Sequence, residues 1–345
     1  MITVFFATNR NLIAGRSGAD FGPGYNPDGP AALRFGFAEI PEAALSDDQR
    51  LSDIKITVAA ERLDPHRPRA TIVGSAEIFE MIRAKMESHE RDTVIFVHGY
   101  GSSFRNALRH AAFLKRRYDA RPFNMVLFSW PSDGELVPLM SYYSDRTDAK
   151  ASGAAIARAM LMVNEYMTRL RATGRACAQC LHLMAHSMGN YALRHAVQAV
   201  RGELGDEPPR LFEHVFLFAA DEDDDTFEHD HKLRLLPRLA RNVHVYFNPR
   251  DLALVVSDKT KTNPDRLGSD GPRLTDDLPR KLTLINCRDV AKTDKRDRLG
   301  HDYHRYVDAV VRDINQVLTN VSPEKIKGRR FVPEARAYYV SGSRR

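Results

Sequence analysis

Leu181-His182-Leu183-Met184-Ala185-His186-Ser187-Met188-Gly189-Asn190 is the stretch that decides the fold of this chain. A short apolar run of strand character ends in a small-x-Ser-x-Gly turn, and an apolar helical pattern over Met188–Val200 starts at once. A serine hydroxyl is a weak nucleophile unless it projects free of the sheet and reaches a base. A sharp strand-to-helix turn supplies that projection. It also crowds the backbone, so the residues two before and two after the serine must be small. Ala185 and Gly189 meet that need, with alanine standing where glycine is usual. The helix aims its free N–H groups and positive dipole end at Ser187, which suits a developing oxyanion, with the Met188 amide as a donor. The competing reading is that Ser187 only caps a helix, a position serine favours.

Upstream, Thr93-Val94-Ile95-Phe96-Val97 reads as a buried strand running into His98-Gly99-Tyr100-Gly101-Ser102. An oxyanion hole behind such an elbow takes its second N–H from the loop after an earlier strand, and the Tyr100 amide is placed for that. Gly99 and Gly101 let the loop backbone approach a substrate carbonyl without a Cβ clash. The bland alternative is a glycine turn with His98 buried and satisfied.

Downstream, two strand ends offer an acid. Val215–Ala220 leads to Asp221 and the acidic run Glu222-Asp223-Asp224-Asp225, and Val243–Phe247 leads through Asn248-Pro249-Arg250 to Asp251. Both place a carboxylate past the carboxyl end of a buried strand, where α/β active sites assemble. Asp251 stands alone after its turn and is preferred; Asp221 opens a run whose mutual repulsion should keep it solvated. A cation site there, with His229 and His231 nearby, lacks calcium-loop spacing. For the base, Arg298-Leu299-Gly300-His301-Asp302-Tyr303-His304 follows the last strand and precedes the last helix, so His301 is expected and His304 is the alternative. His186 reads as structural, pointing elsewhere from the turn, and is at most a neighbour of the substrate pocket.

Short β-rich runs alternate with helical patterns, which predicts an α/β fold with a mostly parallel sheet and helices on both faces. Predicted strands are Thr3–Ala7, Leu33–Glu39, Ile54–Ala60, Thr93–Val97, Asn124–Ser129, Leu181–Ala185, Val215–Ala219, Val243–Phe247 and Leu282–Asn286. Predicted helices cover Ala76–Ser88, Phe104–Tyr118, Asp148–Arg171, Met188–Val200 and Tyr303–Leu318. Gly15, Gly18, Gly22-Pro23-Gly24 and Pro27-Asp28-Gly29-Pro30 read as turns, so the first strands should form an antiparallel edge. With the elbow and the glycine loop, this order predicts the α/β-hydrolase fold over residues 1–320. Residues 132–145 are expected to be a small lid, Asp258–Pro279 a long loop, and residues 321–345 a basic, mobile tail. Trp130 could wall an acyl pocket together with His98, or could simply pack.

The net charge of +6 comes from 51 basic against 45 acidic residues, a mixed surface without the basic stripe that nucleic-acid binding needs. Three cysteines make no disulfide framework, and the Cys177/Cys180 pair lacks the second half of a zinc site, so no metal or cofactor is expected. No apolar run approaches the roughly 18–20 residues that span a bilayer, and the N-terminal run is too short for a signal segment, so a cytoplasmic location is expected.

The chain resembles the bacterial α/β-hydrolases of the DUF900 family. The matching stretches are Phe6-Ala7-Thr8-Asn9-Arg10, Val97-His98-Gly99-Tyr100, Phe128-Ser129-Trp130-Pro131-Ser132, the Ala185–Asn190 elbow, Asp251-Leu252-Ala253-Leu254 and Gly300-His301. The resemblance covers roughly residues 1–320 and implies a Ser–Asp–His hydrolase built on Ser187, Asp251 and His301. It implies no particular substrate. The expected reaction is hydrolysis of a small-molecule carboxylic ester or thioester through an acyl-serine. A catalytically silent scaffold and an acyltransferase with the same triad are the alternatives.

Overall fold

A computed structural model describes residues 1–15, 18–59, 62–64, 67–72, 74–89, 91–132, 140–254 and 265–342. The chain divides into two compact units, Met1–Lys115 with Phe123–Cys180, and Arg116–Pro122 with Leu181–Arg345.

The first unit runs β1 (Ile2–Thr8), β2 (Arg10–Gly15), β3 (Gly18–Tyr25), β4 (Arg34–Ile40), β5 (Lys55–Val58), β6 (Arg62–Asp64), β7 (Arg67–Ile72), α1 (Gly74–His89), β8 (Asp92–Val97), α2 (Phe104–Arg117), β9 (Phe123–Ser129) and α3 (Met140–Ala172). Strands β8, β9 and β1 are parallel, and β4 and β5 add antiparallel strands beyond β1, the edge expected from the turn-rich N-terminus. The glycine-rich stretch is more than turns: β2 and β3 form a hairpin. Its anchor is Phe21, whose ring packs 5.6 Å from Phe6 and 4.7 Å from Phe104, so one buried aromatic overrides the glycine content. The segment expected as a lid is described only in part. Residues 133–139 lie outside the described residues, and residues 140–145 are the first turns of α3, which starts well before the predicted Asp148.

The second unit carries β10 (Leu181–His186), α4 (Met188–Leu204), β11 (Phe212–Phe218), α5 (Leu236–Leu239), β12 (Ala240–Phe247), α6 (Leu267–Asp270), β13 (Leu282–Asn286), α7 (Tyr303–Tyr306), α8 (Asp308–Leu318), β14 (Arg329–Val332) and β15 (Ala337–Val340). Strands β10, β11, β12, β13 and β15 pair in parallel, and β14 closes the edge antiparallel to β15. The parallel strands are largely buried on both faces, which explains their mostly apolar sequences, interrupted by the buried His182, His214 and His244. Helix α4 buries Ala192, Leu193, Ala196, Val197 and Val200 at helical spacing and stops at Gly205, whose φ of 73° suits glycine. Among the described residues no helix is long and apolar enough to cross a membrane.

Three expectations fail here for physical reasons. The tail read as mobile supplies β14 and β15. Its Arg329 is buried against Asp313 of α8, donating from Nη2 to Asp313 Oδ1 at 2.7 Å and to the Tyr246 hydroxyl at 3.2 Å, so a charge that reads as solvated is neutralised inside. The helix expected over Tyr303–Leu318 breaks at Val307, which is extended. Its first turn is pinned by Tyr303, whose hydroxyl donates to Tyr246 O at 2.7 Å, and by Tyr118, which donates to His304 O at 2.8 Å. Of the loop expected over Asp258–Pro279, residues 258–264 lie outside the described residues, and Leu267–Asp270 form the short α6. There Gly268 lies so close to the end of β11 that a Cβ would meet Ala220 N at 2.3 Å.

Buried histidines set a pH limit on this unit. His182, His214 and His244 lie on adjacent strands, with His214 Nδ1 3.0 Å from His244 Nε2 and His214 Nε2 2.9 Å from Asn320 Oδ1. Burial pushes His244 well below the ordinary histidine value of 6.5, helped by His214, Arg329 and His182. The unfolded chain therefore binds a proton that the folded one excludes. The contribution to stability is full above pH 6.5 and drains as pH falls, by about 1.4 kcal/mol per pH unit for each such group. Urea titrations between neutral and mildly acidic pH should show this loss, and His244→Gln should move the acid midpoint to lower pH.

Candidate active site

Ser187 sits between the last residue of β10 and the first of α4 with φ 52° and ψ −129°, a conformation that L-residues avoid. Three strand-end contacts hold it there. Its N–H donates to Phe218 O at 3.0 Å, and its carbonyl accepts from Asn190 N at 3.0 Å and Asp221 N at 3.2 Å. The Asn190 side chain fastens the same turn, its Nδ2 lying 3.1 Å from Ser187 O and 3.3 Å from both Ala185 O and Phe218 O. Ser187 makes no side-chain cap to its helix, so the capping alternative lacks its hydrogen bond. The Met188 N–H opens α4, where backbone donors have no intrahelical acceptor.

Asp251 is fully buried and accepts at both oxygens: Oδ1 from Ala253 N at 2.9 Å and Leu254 N at 3.1 Å, Oδ2 from His301 Nδ1 at 2.7 Å. His301 is held by its backbone as well, since its N–H donates to Asp297 Oδ1 at 2.8 Å. Gly300 carries φ +71° and lies where a Cβ would meet Asn248 Nδ2 at 2.8 Å, while that nitrogen donates to Gly300 O at 2.7 Å. Burial would depress the His301 pKa, but the Asp251 charge and hydrogen bond override it, with Asp302 and Asp297 adding, and raise it to about 9.

The alternatives are placed elsewhere. Asp221 is buried with its Oδ1 3.6 Å from Arg266 Nε. The whole acidic run is buried rather than solvated, because Arg266, Lys232 and Arg194 neutralise it: Arg266 Nη1 lies 2.7 Å and Lys232 Nζ 2.9 Å from Asp223, and Lys232 also pairs with Asp225. His304 is buried between Phe218, at a ring distance of 4.7 Å, and His186, at 4.5 Å. His186 also faces the His301 ring at 4.7 Å, and its Nε2 lies 3.2 Å from His301 O. Burial pushes His186 down to about 3, with the His301 charge adding to it.

The first unit holds the remaining predicted residues. His98 and Trp130 are fully buried and stacked face to face at 5.0 Å, and Trp130 Nε1 donates to His98 O at 2.8 Å, so they pack together instead of walling a pocket. Tyr100 lies on the loop after β8, its hydroxyl 2.5 Å from Ser141 Oγ. That loop is clamped by residues to which sequence reasoning gave no role. Buried Arg10 donates to Ser102 O at 2.7 Å, Ser132 O at 2.9 Å, Ser129 Oγ at 2.9 Å and Gly22 O at 3.2 Å, and Asp145 Oδ2 accepts from Gly101 N at 3.2 Å. Asn190, Asp297 and Asn248 were missed likewise. Their signal in sequence was only position: beside the elbow for Asn190, at a strand end for Asn248, and four residues before His301 for Asp297.

A family model described as an alpha/beta hydrolase of unknown function, DUF900, matches residues 75–320, well over half of the chain. The chain belongs to the DUF900 family of α/β-hydrolases. Its fold is the α/β-hydrolase fold with antiparallel edge strands, as the element order predicted. Two solved structures are distantly similar to this DUF900 protein. A hormone-sensitive lipase from a metagenome library is 12% identical over 66% of this chain and 76% of its own, with a TM-score of 0.30. Phospholipase PlaB from Legionella pneumophila, in complex with thio-NAD, is 12% identical over 64% of this chain and 43% of its own, with a TM-score of 0.24. No curated protein matches the chain.

The Ser187 backbone predicts a trade between stability and the side chain it presents. A strained φ/ψ pair costs of order 1–3 kcal/mol, and glycine is spared most of that. Ser187→Gly should therefore be about 1 kcal/mol more stable than Ser187→Ala in urea denaturation.

Proposed function

We propose that this DUF900 protein is a serine hydrolase that cleaves a carboxylic ester or thioester through an acyl-serine. The observation that carries the reading is the 2.7 Å bond from His301 Nδ1 to the fully buried Asp251, in the same unit as the strained Ser187 turn. Asp251 holds its partner's proton on Nδ1, which leaves Nε2 free to act as base in the neutral ring, the form that dominates above about pH 9. Ser187 Oγ attacks the acyl carbon while His301 Nε2 takes its proton. The resulting oxyanion is stabilised by the Met188 amide, and the sequence pattern assigns the second donor to the Tyr100 amide. His301 then protonates the departing alkoxide or thiolate. In the second half, water attacks the acyl-serine, His301 accepts its proton, and Ser187 leaves as the free hydroxyl.

A fluorophosphonate probe tests this directly. It should modify the wild type at Ser187, located by mass spectrometry, and leave Ser187→Ala unlabelled. A folded wild type that resists the probe and all of a p-nitrophenyl ester panel would favour the silent scaffold instead. Ester hydrolysis that gives way to acyl product when an alcohol is added would favour acyl transfer.

The acid assignment has its own test. Asp251→Asn keeps the shape of the site but lets His301 adopt the wrong tautomer, and kcat should drop by about 10⁴. Asp221→Asn, whose carboxylate faces Arg266, should keep kcat within about tenfold of wild type even if it lowers stability. Equal losses in the two variants would sink the assignment to Asp251.

A further inference from the structure

Behind the His301 ring lies a cluster that the hydrolytic chemistry does not use. His186 ends β10, while Asp302 and His304 flank Tyr303 at the start of α7, and one ligand atom from each lies within 4.8 Å of the others. His186 Nε2 is 3.9 Å from Asp302 Oδ1, and the His186 and His304 rings are 4.5 Å apart.

A second observation points to a ligand. His304 is 0% exposed, and neither of its ring nitrogens has a hydrogen-bond partner among the described residues. A buried polar group left unbonded is costly, and a native fold that keeps one has an ion, a water or a function to account for it. Ring stacking on Phe218 explains the position of the imidazole but satisfies neither nitrogen.

We propose that His186, Asp302 and His304 bind one divalent transition-metal ion of the zinc type. Two imidazoles and a carboxylate suit zinc, cobalt or nickel, whereas magnesium and calcium demand an all-oxygen shell. The His301 carbonyl oxygen, 3.2 Å from His186 Nε2, is available as a fourth ligand, with the metal replacing the proton on that nitrogen and the imidazole carrying its proton on Nδ1. Ligands about 2.0–2.2 Å from zinc stand roughly 3.3–3.5 Å apart, so the side chains must close inward by about 1 Å. Arg305 Nη2, 2.7 Å from Asp302 Oδ1, and the His301 charge beside His186 are the like charges that oppose the ion, and the carboxylates of Asp302, Asp297 and Asp251 outnumber them. Access is through Asp302, whose side chain is 32% exposed. An ion here ties the loop carrying His301 to the strand that leads into Ser187, so its first effect is on stability. The site does not depend on Ser187 chemistry.

Full-length protein stripped with a chelator and titrated with zinc alone tests the assignment by calorimetry and thermal melting. One zinc should bind per chain, with Tm rising as free zinc rises. His304→Gln and Asp302→Asn should each weaken binding by about 100-fold or more. Ser187→Ala should bind zinc like the wild type while losing probe labelling, so a failed hydrolase reading and a failed metal reading look different. Cobalt bound to the wild type should give the visible bands of nitrogen and oxygen ligation, a readout that needs no variant to fold. Folded, stripped wild type that takes up no zinc overturns the proposal, leaving a buried water as the occupant. So does zinc binding that survives in both ligand variants, or that disappears in the Cys177→Ser/Cys180→Ser double variant.

Discussion

Ser187 occupies a backbone conformation it would not choose, and the second unit is organised to keep it there. The turn is over-determined: Phe218 O takes its N–H, Asp221 N and Asn190 N grip its carbonyl, and the Asn190 amide spans three carbonyls around it. Those partners come from the end of β11 and the first turn of α4, so the strain is tolerable only when β10 and β11 are paired in their observed register. A one-residue slip would turn His186 and Phe218 to opposite faces and remove the acceptor of the Ser187 N–H.

The same parallel register brings the ends of β11 and β12 to one level, and each ends in a buried carboxylate. Charges of this kind are stable only with compensation close by. Arg266, Lys232 and Arg194 compensate the run after β11, and Arg329 compensates Asp313. Arg194 and Arg266 come from 29 and 43 residues away and Arg329 from 16, with Lys232 the one nearby partner, which is why composition misread these charges. An acidic run and a basic terminal stretch look like two solvated surfaces until the fold shows that each is matched inside the protein.

This separates what was legible in the chain from what was not. The strands around the elbow were readable because a buried parallel strand is mostly apolar, and the residues of the elbow are restricted by backbone crowding as well as by chemistry. The strained turn at Ser187 and the pairing of Asp251 with His301 were foreshadowed by their order after successive strands. Features decided by one distant contact were not readable. The β2–β3 hairpin depends on Phe21 reaching Phe104, β14 on Arg329 reaching Asp313, and the packing of Trp130 on its bond to His98 O. Arg10, Asn190 and Asp297 act by satisfying backbone groups, a role that residue type alone does not announce.

The two strand-end carboxylates differ by the same accounting of charge. An acid that supports an imidazole must still have charge to offer, in a dry place and at hydrogen-bond distance. Asp221 faces a guanidinium, and Asp223 behind it is shared between Arg266 and Lys232, so that end of the sheet is electrostatically complete. Asp251 receives two neutral N–H groups on Oδ1, and on Oδ2 it meets His301. Neutral donors fix the orientation of a carboxylate without cancelling its charge. The field of Asp251 is therefore directed at the imidazole, which is where proton transfer from a serine would create positive charge. The isolated turn Asn248-Pro249-Arg250 makes this possible, because it delivers one carboxylate past the strand end without a basic side chain packed against it among the described residues.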